Sequence, residues 1–273
     1  MSYGRSSSNI VYPGFFEVPE SHSGILDKRI TTTAVSIYGL GHLGSWIARA
    51  LVALGVRDMS LHDFDIIEER NLSGSVYSRK NVGEHKTDAL ISILKNDTLV
   101  SGEDSRRGIT GSSETLGYAF NTKAIGFVYQ PFVDFYILAT DNPESRIAIA
   151  KTIFEQWNMC GHAKCFSQIT PVLIDTRSNG ASFTVMNVPI RDREMQKRYM
   201  LDLEELARGT GRVACDASNI IQVPLFVSAI VSQMIASFAR GKEAYFAYHG
   251  SLIDLGRYPF RTELDKFLPK VVV

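Results

Sequence analysis

TAVSIYGLGHLGSWIARALVALGVRDMSLHD, residues 33–63, decides the fold. Thr33 to Tyr38 is a short β-rich run, and Gly39-Leu-Gly-His-Leu-Gly44 follows it at once. Trp46, Ile47, Ala50, Leu51 and Leu54 then recur at helical spacing until Gly55 stops the helix. Met59 to Asp63 predicts a second strand, so the stretch is a β-turn-helix-β unit of crossover length. Gly39, Gly41 and Gly44 permit a tight turn and close backbone approach, and the helix N-terminus offers free N–H groups to a phosphate. Asp63, at the tip of the second strand, can accept hydrogen bonds from ribose hydroxyls. A tight strand–helix turn without ligand would use the same glycines.

Working outward, residues 1–30 are rich in Ser, Gly and Pro and read as an irregular arm. A helix is expected over 81–95, strand and loop over 101–122, and a buried central strand over 133–139 that ends at Thr140-Asp141-Asn142-Pro143. A helix over 144–158 and a strand near 172–175 follow, then a half-buried strand over 181–189 with apolar and polar residues alternating. A charge-dense helix spans 191–208, a buried helix lies within 216–240, and the tail from Glu243 reads as an antiparallel edge. Strands alternating with helices predict an α/β fold, a Rossmann-like doubly wound, mostly parallel sheet with an antiparallel C-terminal extension. The expected organisation is the arm 1–30 and one domain 31–273, with a nucleotide-binding half 31–160 and a crossover and C-terminal half 161–273.

Composition narrows the function. With 29 basic and 29 acidic side chains the net charge is zero, which argues against nucleic-acid or membrane-surface binding through bulk electrostatics. Three cysteines are too few and too odd for a disulfide framework, so a reduced, cytoplasmic setting is expected. The apolar run 223–238 is broken by Ser228, Ser232 and Gln233, and a buried helix is expected there instead of a membrane span.

From Val35 to Lys86 the sequence resembles the ThiF/MoeB superfamily, the adenylating enzymes related to ubiquitin-activating enzymes. The matching pieces are GLGHLG (39–44), Gly55-Val56, DFD (63–65), Asn71-Leu72, and Val82-Gly83 with Lys86 beyond. Thr140-Asp141-Asn142 with Arg146 resembles the strand-end motif, and Cys215 before Pro224 resembles the cysteine-bearing crossover loop. The resemblance implies adenylation by ATP, with Mg2+, of the C-terminal carboxylate of a ubiquitin-like or sulfur-carrier protein, by a homodimer. It implies that Asp63 holds the ribose, with Asp65 a secondary candidate, and that Lys86 and Asn71 line the phosphates. It further implies that Asp141 holds the metal and that Cys215 can accept the activated carrier. Each has a plainer reading: Lys86 as a solvated helix start, Asp141 as an N-cap, Cys215 as a small buried hydrophobe.

The sequence departs from the family at two places. Where Asn-Leu is usually followed by one residue and then Arg-Gln, the arginine being a phosphate ligand, the run here is Asn71-Leu72-Ser73-Gly74-Ser75. Arg70, Arg79 and Lys80 are the neighbouring cations, and Arg5 and Arg29 the candidates for an arginine donated to a partner subunit. Paired Cys-x-x-Cys zinc motifs are absent, and Cys160, His162 and Cys165 have the wrong spacing. Two alternatives stay open: a catalytically silent module that binds nucleotide or protein, and an NAD-dependent oxidoreductase on the same glycine loop.

Overall fold

The computed structural model describes residues 28–97, 109–112, 133–159, 171–209, 221–240 and 247–251. Strands β1 (Ala34–Tyr38), β2 (Asp58–His62), β3 (Ile109–Ser112), β4 (Phe135–Leu138), β5 (Val172–Asn179), β6 (Ser182–Pro189) and β7 (Ala247–Ser251) form one sheet in the order β3-β2-β1-β4-β5-β6-β7. The first five are mutually parallel, and β6 runs antiparallel to both β5 and β7. This is the mostly parallel sheet with an antiparallel extension that the alternating pattern predicts.

Both faces of the sheet are covered because successive side chains alternate between two apolar layers. Val35, Ile37, Met59, Leu61, Phe135, Ile137 and Ile174 join helices α1 (His42–Leu54), α2 (Lys86–Asp97) and α5 (Gln222–Ala239) in one buried cluster. Tyr38, Tyr136, Leu138 and Leu173 join α3 (Pro143–Met159) and α4 (Arg193–Gly209) in the other. Each fully buried Leu, Ile or Val contributes about 1.5–3 kcal/mol relative to exposure. Such double coverage explains why β6 is buried along most of its length instead of half-buried: every residue from Val185 to Pro189 is enclosed.

Helix α1 forms because Leu43, Ile47 and Leu51, with Ala48 and Val52, line one face. It ends where Gly55 takes φ 115° and gives its N–H to the Leu51 and Val52 carbonyls. Helix α5 is long and apolar enough to cross a membrane by length and composition, yet half of it is buried here, with Val223, Val227, Val231 and Ile235 in the core it shares with α1.

The helix expected over 81–95 begins later, at Lys86. Residues Arg79–Asn81 form a short 3-10 turn closed by a reciprocal Ser78–Asn81 capping box, and Gly83 then turns at φ 90°. The chain cannot enter α2 until that turn is complete. Of the irregular arm expected over 1–30, residues 28–30 instead open a 3-10 helix (Lys28–Thr32) that buries Ile30 in the core, while residues 1–27, Cys160, His162, Cys165, Cys215 and the tail beyond 251 lie outside the described residues.

Candidate nucleotide site

The strand order reverses between β1 and β4, one leading outward to β2 and the other to β5. In open parallel sheets a crevice opens at such a point, beyond the carboxyl ends of the strands. Two segments meet there: the glycine loop after β1, and Ala139–Asn142 after β4. A Cβ on Gly39 (φ 89°) would stand 2.6 Å from the Ala139 carbonyl oxygen, and one on Gly44 would stand 1.8 Å from the Gly39 carbonyl oxygen. Those two glycines are demanded by packing. Gly41 differs, since a Cβ there meets nothing within 4 Å. It borders open space at the start of α1, whose first turn has no side-chain cap.

The acidic side of the crevice comes from the turn after β2. Asp63 is buried and clamps the loop: its Oδ2 accepts the Leu40 N–H at 2.6 Å and its Oδ1 the Asp65 N–H at 2.9 Å. Burial pushes its carboxyl above the ordinary aspartate range, while Lys86 and the two amides pull it back. A carboxylate has about four acceptor positions, so capacity remains. Asp65 is the more open of the pair, its side chain 48% exposed. Lys86 reaches both, with Nζ 2.6 Å from Asp65 Oδ2 and 3.8 Å from Asp63 Oδ1. Its side chain is 8% exposed, so the solvated reading of this lysine does not hold. Tyr77, which sequence reasoning missed, donates its hydroxyl to the Leu40 carbonyl at 2.8 Å and fixes the loop from the opposite side.

Asn71 is committed locally. Its Oδ1 accepts the Glu68 N–H at 2.9 Å, and its carbonyl takes the Ser75 hydroxyl. The segment that follows is tied to α1 by Trp46, whose indole N–H donates to the Gly74 carbonyl at 2.9 Å. Gly74 stands at φ 92°, a conformation L side chains rarely adopt. An arginine at this position would be strained in that conformation, so restoring one would require the backbone to change with the side chain. Arg70 pairs with Glu68 at 2.6 Å on the surface, and Arg79 and Lys80 are exposed. Arg29 precedes β1, at the end of the sheet away from the glycine loop.

Across the crevice, Asp141 is exposed at the end of β4. It does not cap α3. That falls to Asn142, whose Oδ1 accepts the Ser145 N–H at 2.7 Å. The loop is anchored from below by Arg146, buried on α3, which donates to the Thr140 carbonyl, to Asp175 Oδ1 and to the Thr176 carbonyl. Asp175 is fully buried and also takes Arg177 at 2.7 Å, which in turn reaches Asp202 on α4 at 2.7 Å. Burial opposes the charge on Arg177, but the two carboxylates hold it protonated well above the usual range. No signal in the sequence joins these four residues, because they come from three separate segments, α3, β5 and α4. Among the described residues no group of three His, Cys, Asp or Glu side chains could hold a metal by itself.

Comparison with known proteins agrees with this geometry. A sequence profile of the ThiF family matches residues 18–246. Ubiquitin-like modifier-activating enzyme 5 of rice (Oryza sativa subsp. japonica) is 29% identical over 132 residues, 46% of this chain and 31% of that protein. Ubiquitin-activating enzyme E1 1 of Arabidopsis thaliana is 34% identical over 70 residues, 25% of this chain and 6% of that protein. The matched stretch therefore spans less than a third of these relatives' own length. Among solved structures, E. coli MccB with ATP superposes with a TM-score of 0.57 at 14% identity, over 86% of this chain and 64% of that one. PaaA gives 0.57 at 16%, over 86% and 65%. At such identities the likeness is one of fold.

Proposed function

The chain belongs to the ThiF family, and from that premise we propose that it is an ATP-dependent adenylyltransferase. Its substrate is the C-terminal carboxylate of a ubiquitin-like or sulfur-carrier protein. The observation that carries the reading is the crevice itself: an open Gly41 and an uncapped helix start on one wall, Asp65 and Lys86 beside them, and Asp141 opposite.

The α-phosphate and its neighbours lie over the loop Gly39–Gly44, where the backbone N–H groups of the first turn of α1 and its helix dipole favour negative charge, the Gly39 N–H itself being held by the His62 carbonyl at 2.9 Å. The ribose hydroxyls fall to Asp63 and Asp65. Lys86 exchanges part of its bond to Asp65 for a phosphate oxygen, and Asn71 lines that side. The exposed carboxylate of Asp141 suits Mg2+ that arrives with the nucleotide, since that ion takes one or two carboxylates plus phosphate oxygens. When bound it would neutralise charge on the phosphates. The carrier carboxylate attacks the α-phosphorus, the bond to the β-phosphate oxygen breaks, and pyrophosphate leaves with the electron pair. Catalysis is positioning and charge neutralisation. Cys215 would accept the acyl group in a later step, and a homodimer joined through the exposed Ile221 and Leu225 end of α5 completes the reading.

E. coli MccB has been solved with ATP, and with AMPCPP and MccA, which supports a nucleotide and a polypeptide meeting in this fold. A second reading, nucleotide binding without chemistry, is favoured by Gly74. The deciding measurement is the thermal midpoint alone, with Mg-ATP and with NAD, for wild type and Asp141→Ala. At a hundred times its dissociation constant a ligand adds about 2.7 kcal/mol, or roughly 5–10 °C for a domain of this size. A shift with Mg-ATP that Asp141→Ala abolishes is expected. A shift with NAD alone would overturn the reading, and one with ATP but no pyrophosphate release with any carrier would select the silent module.

A further inference from the structure

Successive peptide groups of the glycine loop are each tied at one end. The Gly39 N–H donates to the His62 carbonyl at 2.9 Å, and the Leu40 N–H donates to Asp63 Oδ2 at 2.6 Å. The Leu40 carbonyl accepts the Tyr77 hydroxyl at 2.8 Å, and the Gly41 carbonyl accepts the Ser45 N–H at 3.1 Å. Among the described residues no acceptor takes the Gly41 N–H, the first amide of the loop left over.

The Leu40 carbonyl and the Gly41 N–H belong to one peptide group, and in a trans peptide they point in opposite directions. Holding the carbonyl against the buried Tyr77 therefore turns the N–H away from Tyr77 and the core it packs in. The backbone alone does not enforce this. A half turn of the peptide would carry Gly41 from φ −74° into the positive range, which glycine enters about as readily. A carbonyl oxygen would then stand where the N–H stood. Tyr77 is itself well anchored. Its N–H donates to Ser75 Oγ at 3.3 Å, and its hydroxyl also lies 3.3 Å from the Lys86 carbonyl oxygen. The turn that carries it is fastened to α1 by Trp46. Burial, with the Asp63 charge nearby, pushes the hydroxyl well above the ordinary tyrosine range, so it remains a donor.

We propose that Tyr77 is a positioning residue of the nucleotide site: by holding the Leu40 carbonyl it presents the Gly41 N–H to a phosphate. This rests on the nucleotide reading of the crevice, and it adds the residue that sets the polarity of the loop. Without the hydroxyl the buried Leu40 carbonyl loses its donor, a costly state, and the peptide turns to bring that oxygen to water. The loop then meets phosphate with an acceptor in place of a donor.

Tyr77→Phe removes the hydroxyl and keeps the ring. Wild type and variant are titrated calorimetrically with Mg-ATP and with inorganic tripolyphosphate. Amide NMR of protein carrying isotopically labelled glycine accompanies the titrations, the Gly41 signal being the one lost in Gly41→Ala. The variant is expected to bind both probes about ten- to hundredfold more weakly. At saturation the Gly41 signal should move in wild type and stay in place in the variant. The signal of Gly55, at the other end of α1, should be the same in both proteins. Equal affinity, or equal displacement of Gly41, overturns the proposal and leaves ATP as the ligand. Weaker binding with a displaced Gly55 signal means general loosening and overturns it too. In wild type alone, a Gly41 signal unmoved by saturating Mg-ATP overturns it. If tripolyphosphate binds in a Tyr77-dependent way and ATP does not bind, the proposal stands and the adenylation reading falls. Binding of neither probe to wild type overturns both.

Discussion

Lys86 and Asp65 form an ion pair at 2.6 Å in which the lysine is enclosed and the aspartate half open to solvent. The pair is asymmetric in consequence. Removing the lysine leaves Asp63 buried without its nearest opposite charge, whereas removing Asp65 exposes the ammonium to whatever occupies the crevice. Lys86→Met is expected to lower stability by about 1–3 kcal/mol and to abolish the Mg-ATP shift. Asp65→Asn is expected to change stability by about 1 kcal/mol or less. Chemical denaturation with and without Mg-ATP checks both, and equal stability losses would contradict the asymmetry.

The three loop glycines separate under substitution. Alanine at Gly39 or Gly44 drives a Cβ into backbone at 2.6 Å or 1.8 Å, where no flexible side chain can yield. Each is expected to cost about 2–4 kcal/mol. Gly41→Ala meets no atom and is expected to cost about 1 kcal/mol or less while weakening nucleotide binding. Thermal midpoints of the three variants, followed by titration of those that fold, test the distinction.

Arg146 is a positioning residue. It fixes the Thr140 carbonyl and so the turn that presents Asp141. Arg146→Met leaves the wholly buried Asp175 with Arg177 as its remaining cation, and a loss of about 3 kcal/mol is expected. Arg146→Lys should recover little of it, because an ammonium cannot span three acceptors in the guanidinium plane. Denaturant midpoints of both variants provide the readout. A full rescue by lysine would mean that charge alone matters there.

His62 predicts an acid limb in the stability curve. It stacks on Tyr38 with ring centroids 4.6 Å apart, shares a hydrogen bond with Ser36, and burial lowers its pKa to about 4. Folding therefore favours the neutral ring. This stability is fully present above the ordinary value of 6.5 and is lost as pH falls through the window down to about 4. The loss approaches about 3 kcal/mol at the low end. His62→Phe retains the stack and cannot charge, so its thermal midpoint should fall less steeply between those pH values. Parallel slopes would assign the acid limb to carboxylates.

The sequence exposes the fold readily because the relevant signals are local. Gly39, Gly41 and Gly44 follow a short β-rich run and open a helix whose apolar residues recur at helical spacing. Boundaries fail where capping decides, as at Ser78–Asn81, whose turn delays α2 to Lys86. Burial is misjudged where both faces matter, as in β6, whose alternating residues are buried on one face by α5 and on the other by α3 and α4. The acidic pair 63–65 and Lys86 are legible as motif residues, yet nothing local says that Asp63 clamps Leu40 or that Asn142 takes the capping role from Asp141. The Arg146–Asp175–Arg177–Asp202 chain joins segments that lie up to 56 positions apart, from residue 146 to residue 202, and periodicity cannot reveal such a pairing.

The packing of α5 along α1 has a consequence for how the chain is made. The β1–α1–β2 unit leaves the ribosome first, but the apolar side of α1 is covered by residues 222–239, which emerge about 170 to 185 positions after its last residue, Leu54. At about 5–20 residues per second of synthesis, Ile47, Leu51 and the β1 residues beneath them wait for about ten seconds or longer with that surface uncovered. The nascent nucleotide half therefore presents its stickiest surface throughout that interval, a natural point for chaperone capture.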